Sequence, residues 1–232
     1  MQKNTITKVA LTVIALGAVA SGARTQMMDG DRMGSGMNGS GMNGSSTIAK
    51  WPMDAQKAAA KIIAKYGQPH EATASMLVWH NNGPWKRTVA SRTSTPHMFP
   101  GPHPDSVEQV ISYRVPVGKY DDLARYDGSV TVDRTKGELA ARCDLEEMNF
   151  LALNLAHDII VGKRSAEGAR GFYARVVKAF KTQKKVHPYQ MRLMFQPHAM
   201  NMAADPDKVS SVLKPMVRRM KMMQKQKMMS MR

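Results

Sequence analysis

The chain has 232 residues, of which 43% are hydrophobic, and it carries a net charge of +16. This length allows one domain with a sizeable core and additional tails, because domains usually contain about 100 to 200 residues. The charge lies mostly at the C-terminal end, since residues 51–170 are almost neutral and residues 171–232 are strongly basic. Such a distribution excludes a basic domain folded around nucleic acid and favours a separate basic contact segment.

The first 23 residues have the three parts of a secretory signal peptide. Lys3 and Lys8 precede an apolar run over residues 9–19, and small residues up to Ala23 provide a cleavage site. The apolar run is shorter than the roughly 20 residues that a membrane-spanning helix needs. The sequence therefore predicts a periplasmic or secreted protein, a location that also argues against nucleic acid as a partner.

Residues 24–49 are rich in Gly, Ser, Asn and Met, and we predict a disordered linker, because such a segment buries too little surface to fold. Residues 50–185 are predicted to form a single α+β domain, a small antiparallel sheet of hairpins with helices packed on one face. This class follows from strands that come mostly in hairpins, without the alternation of strand and helix that is typical of parallel sheets.

Hydrophobic periodicity and turn residues predict the elements of this domain. In chain order they are a helix over 52–66, strands over 74–79 and 85–91, a Pro-rich loop over 95–104, a strand over 107–115, a short helix over 119–126 and a hairpin over 129–142. Two longer helices follow, with Asp144 and Ser165 as their predicted N-caps.

Residues 186–232 are predicted to form a basic tail, interrupted by prolines and without acidic residues from Lys214 onward. Met216, Met220 and Met223 recur at helical spacing among Lys and Arg. This pattern favours an amphipathic contact with an anionic membrane surface or an acidic envelope partner. The alternative is a solvated, disordered tail.

Methionine is unusually frequent, with 21 residues concentrated near both ends of the chain. Its thioether is a soft ligand that suits Cu(I) or Ag(I), and protonation does not block it. The predicted ligands from the Met-rich ends, together with the histidine of the run that precedes the basic segment, are Met27, Met28, Met33, Met37, Met42, His198, Met200, Met202, Met220 and Met223. The alternative is that methionine fills these tails without binding anything.

A second set of candidate ligands lies in the body of the chain. His97 and His103 flank a Pro-rich loop, Asp105 follows, and His80 lies in an earlier turn. These residue types suit a borderline metal ion, although their spacing matches no established signature and structural roles are the alternative. The single cysteine, Cys143, excludes an internal disulfide and is interpreted as a buried thiol or one soft ligand.

The sequence contains no nucleophile elbow, phosphate loop or dinucleotide fingerprint. We therefore favour a binding protein over an enzyme: an exported accessory protein that binds Cu(I) or Ag(I) through its Met-rich tails. The alternative is a non-enzymatic envelope interaction module that uses the basic amphipathic C-terminal tail. An enzyme that uses the region of His80, His97 and His103 is a further alternative, with no motif to support it.

Overall fold

The computed structural model describes residues 43–199 and 205–231. The predicted signal peptide and most of the predicted linker lie outside these residues, and so do the predicted ligands Met27, Met28, Met33, Met37, Met42, Met200 and Met202. In the described part of the chain, no helix combines the length and the apolar character needed to cross a membrane.

The described residues form helices and strands in the order α1 (Gly44–Ile48), α2 (Met53–Tyr66), β1 (Glu71–Ala72), β2 (Met76–Asn82), β3 (Trp85–His97), β4 (His103–Ser112), α3 (Tyr120–Tyr126), β5 (Val130–Asp133), β6 (Glu138–Cys143), α4 (Glu146–Ile160), α5 (Ala166–Gln183) and α6 (Lys214–Ser230). All strand pairs are antiparallel, in the spatial order β1-β2-β3-β4-β6-β5. The predicted α+β class is therefore confirmed.

One face of the sheet is apolar because successive strand residues point to opposite faces. Leu77, Ala90, Val107 and Cys143 are successive partners across four strands, and all four are buried. Helix α2 packs on the half of this face that contains Leu77, and α4 packs on the half that contains Cys143. The two helices therefore bury the same side of the sheet.

The central hairpin is longer than predicted. Strand β3 continues to His97 and β4 begins at His103, so both strands extend into the stretch predicted as a Pro-rich loop. Pro96 and Pro104 face each other as partners, which places both missing N–H donors at one position of the ladder. The loop that connects the strands is only residues 98–102.

The prediction that Asp144 caps α4 is wrong. The N-cap is Leu145, and no side chain makes a capping hydrogen bond there. The first helical residue, Glu146, turns into the protein instead of capping the helix. Ser165, in contrast, is confirmed as the cap of α5, since its Oγ accepts a hydrogen bond from the backbone N–H of Gly168 at 3.0 Å.

Replacing Ser165 with alanine is expected to lower the free energy of unfolding by about 1 kcal/mol, because one N–H of the first turn loses its acceptor. Urea unfolding of the full-length chain measures the effect. Ser165→Asp keeps an acceptor at the same position and is expected to retain the native stability. An equal loss in both variants would show that the hydroxyl serves another contact.

Folded structure extends beyond the predicted limits of residues 50 and 185. Ile48 of α1 is buried with α2, and Gln190 is buried after α5. The backbone N–H of His198 donates to the carbonyl of Ser112 at 2.8 Å, so this segment also contacts the sheet. Prolines predicted a tail here, but the aromatic side chains between them pack against the core.

Candidate metal centre

The end of the β3–β4 hairpin brings His97, His103 and Asp105 together. His97 ends β3, His103 begins β4, and the two residues are partners across the ladder. Asp105 follows His103 by two residues, so strand alternation places both on the same face. One donor atom of each side chain lies within 4.8 Å of the other two. The structure thus joins the two histidines that the sequence indicated to a carboxylate.

These three side chains are shielded from solvent. The exposed fraction of the side chain is 18% for His97, 14% for His103 and 2% for Asp105. The Oδ1 atom of Asp105 is buried and lies 3.3 Å from Nε2 of His103, without a well-aligned hydrogen bond. A buried carboxylate is costly unless a cation pairs with it, and either the imidazolium of His103 or a bound metal ion would do so.

Two further polar residues line the same interior. Asp127, which follows α3, places Oδ1 3.5 Å from Nε2 of His97. The hydroxyl of Ser129 donates to Oδ2 of Asp105, and its oxygen lies 3.1 Å from Nδ1 of His97. No local pattern in the sequence indicates either residue, because both come from a distant part of the chain. Asp127 and Ser129, which precede β5, thus orient His97 and the carboxylate of Asp105.

A backbone carbonyl orients His103. Its Nδ1 lies 2.8 Å from the carbonyl oxygen of Gly101. Because a carbonyl only accepts hydrogen bonds, Nδ1 carries the hydrogen, and Nε2 lies 3.3 Å from Oδ1 of Asp105. Metal-ligating histidines are commonly held through their second nitrogen in this way.

The electrostatics of the centre favour positive charge. The pKa of His103 is raised to about 11, first because of its close contact with the carboxylate of Asp105 and then because of the nearby Cys143. The pKa of Asp127 is also raised, mainly because of burial. The same buried carboxylates that favour an imidazolium also favour a divalent cation, which would compete with the imidazole proton.

Cys143 lies next to the centre. Its thiol is close enough to His103 to interact with the imidazole, and Sγ lies 3.4 Å from Oδ1 of Asp144. The side chain is buried, and burial raises the pKa of the thiol above its ordinary value. Among the described residues, the group of converging donors does not include Cys143.

A cavity of about 70 Å³ adjoins His103, and Cys143, Tyr173 and Phe180 also line it. This volume accommodates roughly two water molecules. The loop between the strands covers the centre, with the Phe99 ring 5.3 Å from that of Tyr173 and 3.9 Å from the guanidinium of Arg170.

The other predicted ligands lie elsewhere in the fold. The imidazole of His198 stacks on Tyr113 with ring centroids 4.5 Å apart, and its Nδ1 accepts the backbone N–H of Arg114 at 3.0 Å. His80 contacts Glu71, not the two histidines of the hairpin. Met220 and Met223 are exposed on α6.

No protein-family model, curated protein or solved structure matches this chain.

Proposed function

We propose that this protein binds a transition-metal ion through His97, His103 and Asp105, as an exported metal-handling accessory protein. The convergence of two imidazoles on a buried carboxylate carries this proposal. Nitrogen and carboxylate donors favour a divalent ion such as Zn²⁺ or Cu²⁺ over Cu(I). A site with three protein ligands commonly completes its coordination with water, and the cavity beside His103 has room for water.

A cysteine–histidine catalytic pair is the competing interpretation of the same residues. A cysteine nucleophile needs a lowered thiol pKa and access for the substrate. Cys143 is buried, its pKa is raised by burial, and Asp144 lies beside the sulfur. These properties favour a protonated, unreactive thiol, so we propose binding rather than catalysis.

The Met-rich tails support a second proposal, the binding of Cu(I) or Ag(I) by thioethers. Met220 and Met223 are each 60% exposed and therefore accessible to an ion from solution. The basic residues around them on α6 oppose a cation, however, because like charges repel at short range. The sequence around the methionines before residue 43 has no comparable cluster of basic residues.

A competition titration of the full-length chain distinguishes these proposals. We expect Zn²⁺ or Cu²⁺ to bind in competition with a chelator, and His103→Ala or Asp105→Asn to weaken binding by about 100-fold or more. His80→Ala, which removes an exposed imidazole beside a carboxylate, is the matched control and should leave the affinity unchanged. Circular dichroism checks that each variant folds.

Unchanged divalent affinity in both centre variants would refute the centre as the binding site. An anaerobic Cu(I) titration in the same series tests the thioether proposal. Cu(I) binding that survives His103→Ala but falls when Met27, Met28 and Met33 are replaced by leucine would support the tails. Cu(I) binding that is insensitive to these methionines would count against them.

A further inference from the structure

Helix α6 presents its methionines to solvent rather than to the folded body. None of the residues of Lys214–Ser230 is buried. Met216, Met220 and Met223 lie at i, i+4 and i+7, which places them on one side of the helix. Their exposed fractions are 54%, 60% and 60%. An apolar stripe on a helix normally packs against another surface, and the described body provides none here.

The charge of α6 has a single sign. The helix contains no Asp or Glu, and its basic residues are Lys214, Arg218, Arg219, Lys221, Lys225 and Lys227. Lys221 and Lys225 are like charges at i, i+4, a pairing that destabilises an isolated helix. The first turn also lacks an acidic residue, which would stabilise the helix by interacting with its dipole.

These properties indicate that α6 binds a partner whose surface is both apolar and anionic. Helices in proteins owe most of their stability to the packing of an apolar face, not to intrinsic propensity. A surface that accepts the stripe and also neutralises the basic side chains would stabilise α6 on both counts. A bilayer that contains anionic phospholipid offers acyl chains directly beneath phosphate groups.

We propose that α6 binds the surface of an anionic phospholipid bilayer, with Met216, Met220 and Met223 inserted below the phosphate groups. Long basic side chains keep their charges at the headgroups while their alkyl parts lie along the apolar boundary. Met222 and Met229 lie on the opposite side, so insertion is shallow and the attraction is mainly electrostatic. This inference does not depend on the metal centre.

Flotation of the full-length chain with lipid vesicles tests the proposal. We expect binding to vesicles of phosphatidylglycerol and phosphatidylcholine at low salt, much less at high salt, and little binding to phosphatidylcholine alone. The triple variant Arg218→Gln, Arg219→Gln, Lys221→Gln should lower the partition coefficient by roughly 100-fold, at about one kcal/mol for each basic residue.

The matched control removes the same charge from exposed positions of the body, with Lys57→Gln, Lys61→Gln and Lys178→Gln. None of these lysines forms an ion pair among the described residues. We expect this control to bind vesicles almost as the native chain does. An equal loss in both triple variants would assign the binding to overall charge and overturn the proposal.

A second variant tests insertion itself. Replacing Met216, Met220 and Met223 with serine keeps all charges, and we expect weaker binding because apolar burial is lost. Unchanged binding would overturn the insertion of the stripe. Failure of the native chain to bind anionic vesicles, together with retention on an acidic polypeptide, would assign α6 to an acidic protein partner instead.

Discussion

Replacing Glu146 with alanine is expected to lower the free energy of unfolding by about 3 to 5 kcal/mol, because several partly or fully buried donors lose their acceptor. Glu146 begins α4 and is only 9% exposed. Its carboxylate accepts hydrogen bonds from Tyr66 Oη and Trp85 Nε1 at 2.6 Å each and from Gln109 Nε2 at 2.9 Å. It also pairs with Lys65. Alanine would leave these donors without an acceptor, which costs more than the loss of an exposed contact.

Urea unfolding at neutral pH measures this effect, and Glu147→Ala is the control. Glu147 is exposed in the same helical turn, so its removal costs only its interaction with the helix dipole, about 0.3 to 1 kcal/mol. Equal destabilisation by the two variants would show that the buried hydrogen bonds add nothing beyond charge at the helix end.

The same carboxylate makes stability depend on pH. Burial by itself raises the pKa of Glu146, but the hydrogen bonds from Lys65, Tyr66, Trp85 and Gln109 outweigh burial, and the net pKa lies below the ordinary 4.5. The pKa of Glu146 is lower in the folded state than in the unfolded state. Its stabilising contribution is therefore fully present above the pKa of the unfolded state, and it is lost as the pH falls through the pKa of the folded state. Native protein should therefore lose more stability in acid than Glu146→Gln.

A divalent ion present at 100 times its dissociation constant is expected to raise the free energy of unfolding by about 2.7 kcal/mol. The ligands come from the ends of two strands and meet only in the folded chain, so the ion binds the native state selectively. Urea unfolding with added Zn²⁺, compared with unfolding in the presence of a chelator, measures the gain.

The variants of the centre decide whether this gain arises there. His103→Ala is expected to abolish the stabilisation by Zn²⁺, whereas His80→Ala should retain it fully. Stabilisation that persists in His103→Ala would locate the ion at another site. Stabilisation absent even from the native chain, at concentrations that saturate binding, would contradict the claim that the centre forms only on folding.

Part of the centre was predictable from local sequence. His103 and Asp105 are separated by one residue, the spacing that places two side chains on one face of a strand. The Pro-rich stretch between His97 and His103 places two histidines close together in sequence. Its prolines predict a loop, whereas the structure extends both strands into it and makes the two histidines partners in the ladder.

The fold class is predictable from the sequence, because helical and strand periodicities are local patterns that do not depend on distant contacts. The helix that ends at Tyr66 and the cap at Ser165 follow from such patterns. The contact of Asp127 with His97, and the hydrogen bonds that Glu146 accepts from α2, β3 and β4, arise only when the chain folds. These contacts join residues 30 to 80 positions apart, and no local periodicity records which distant side chains a folded sheet will bring together.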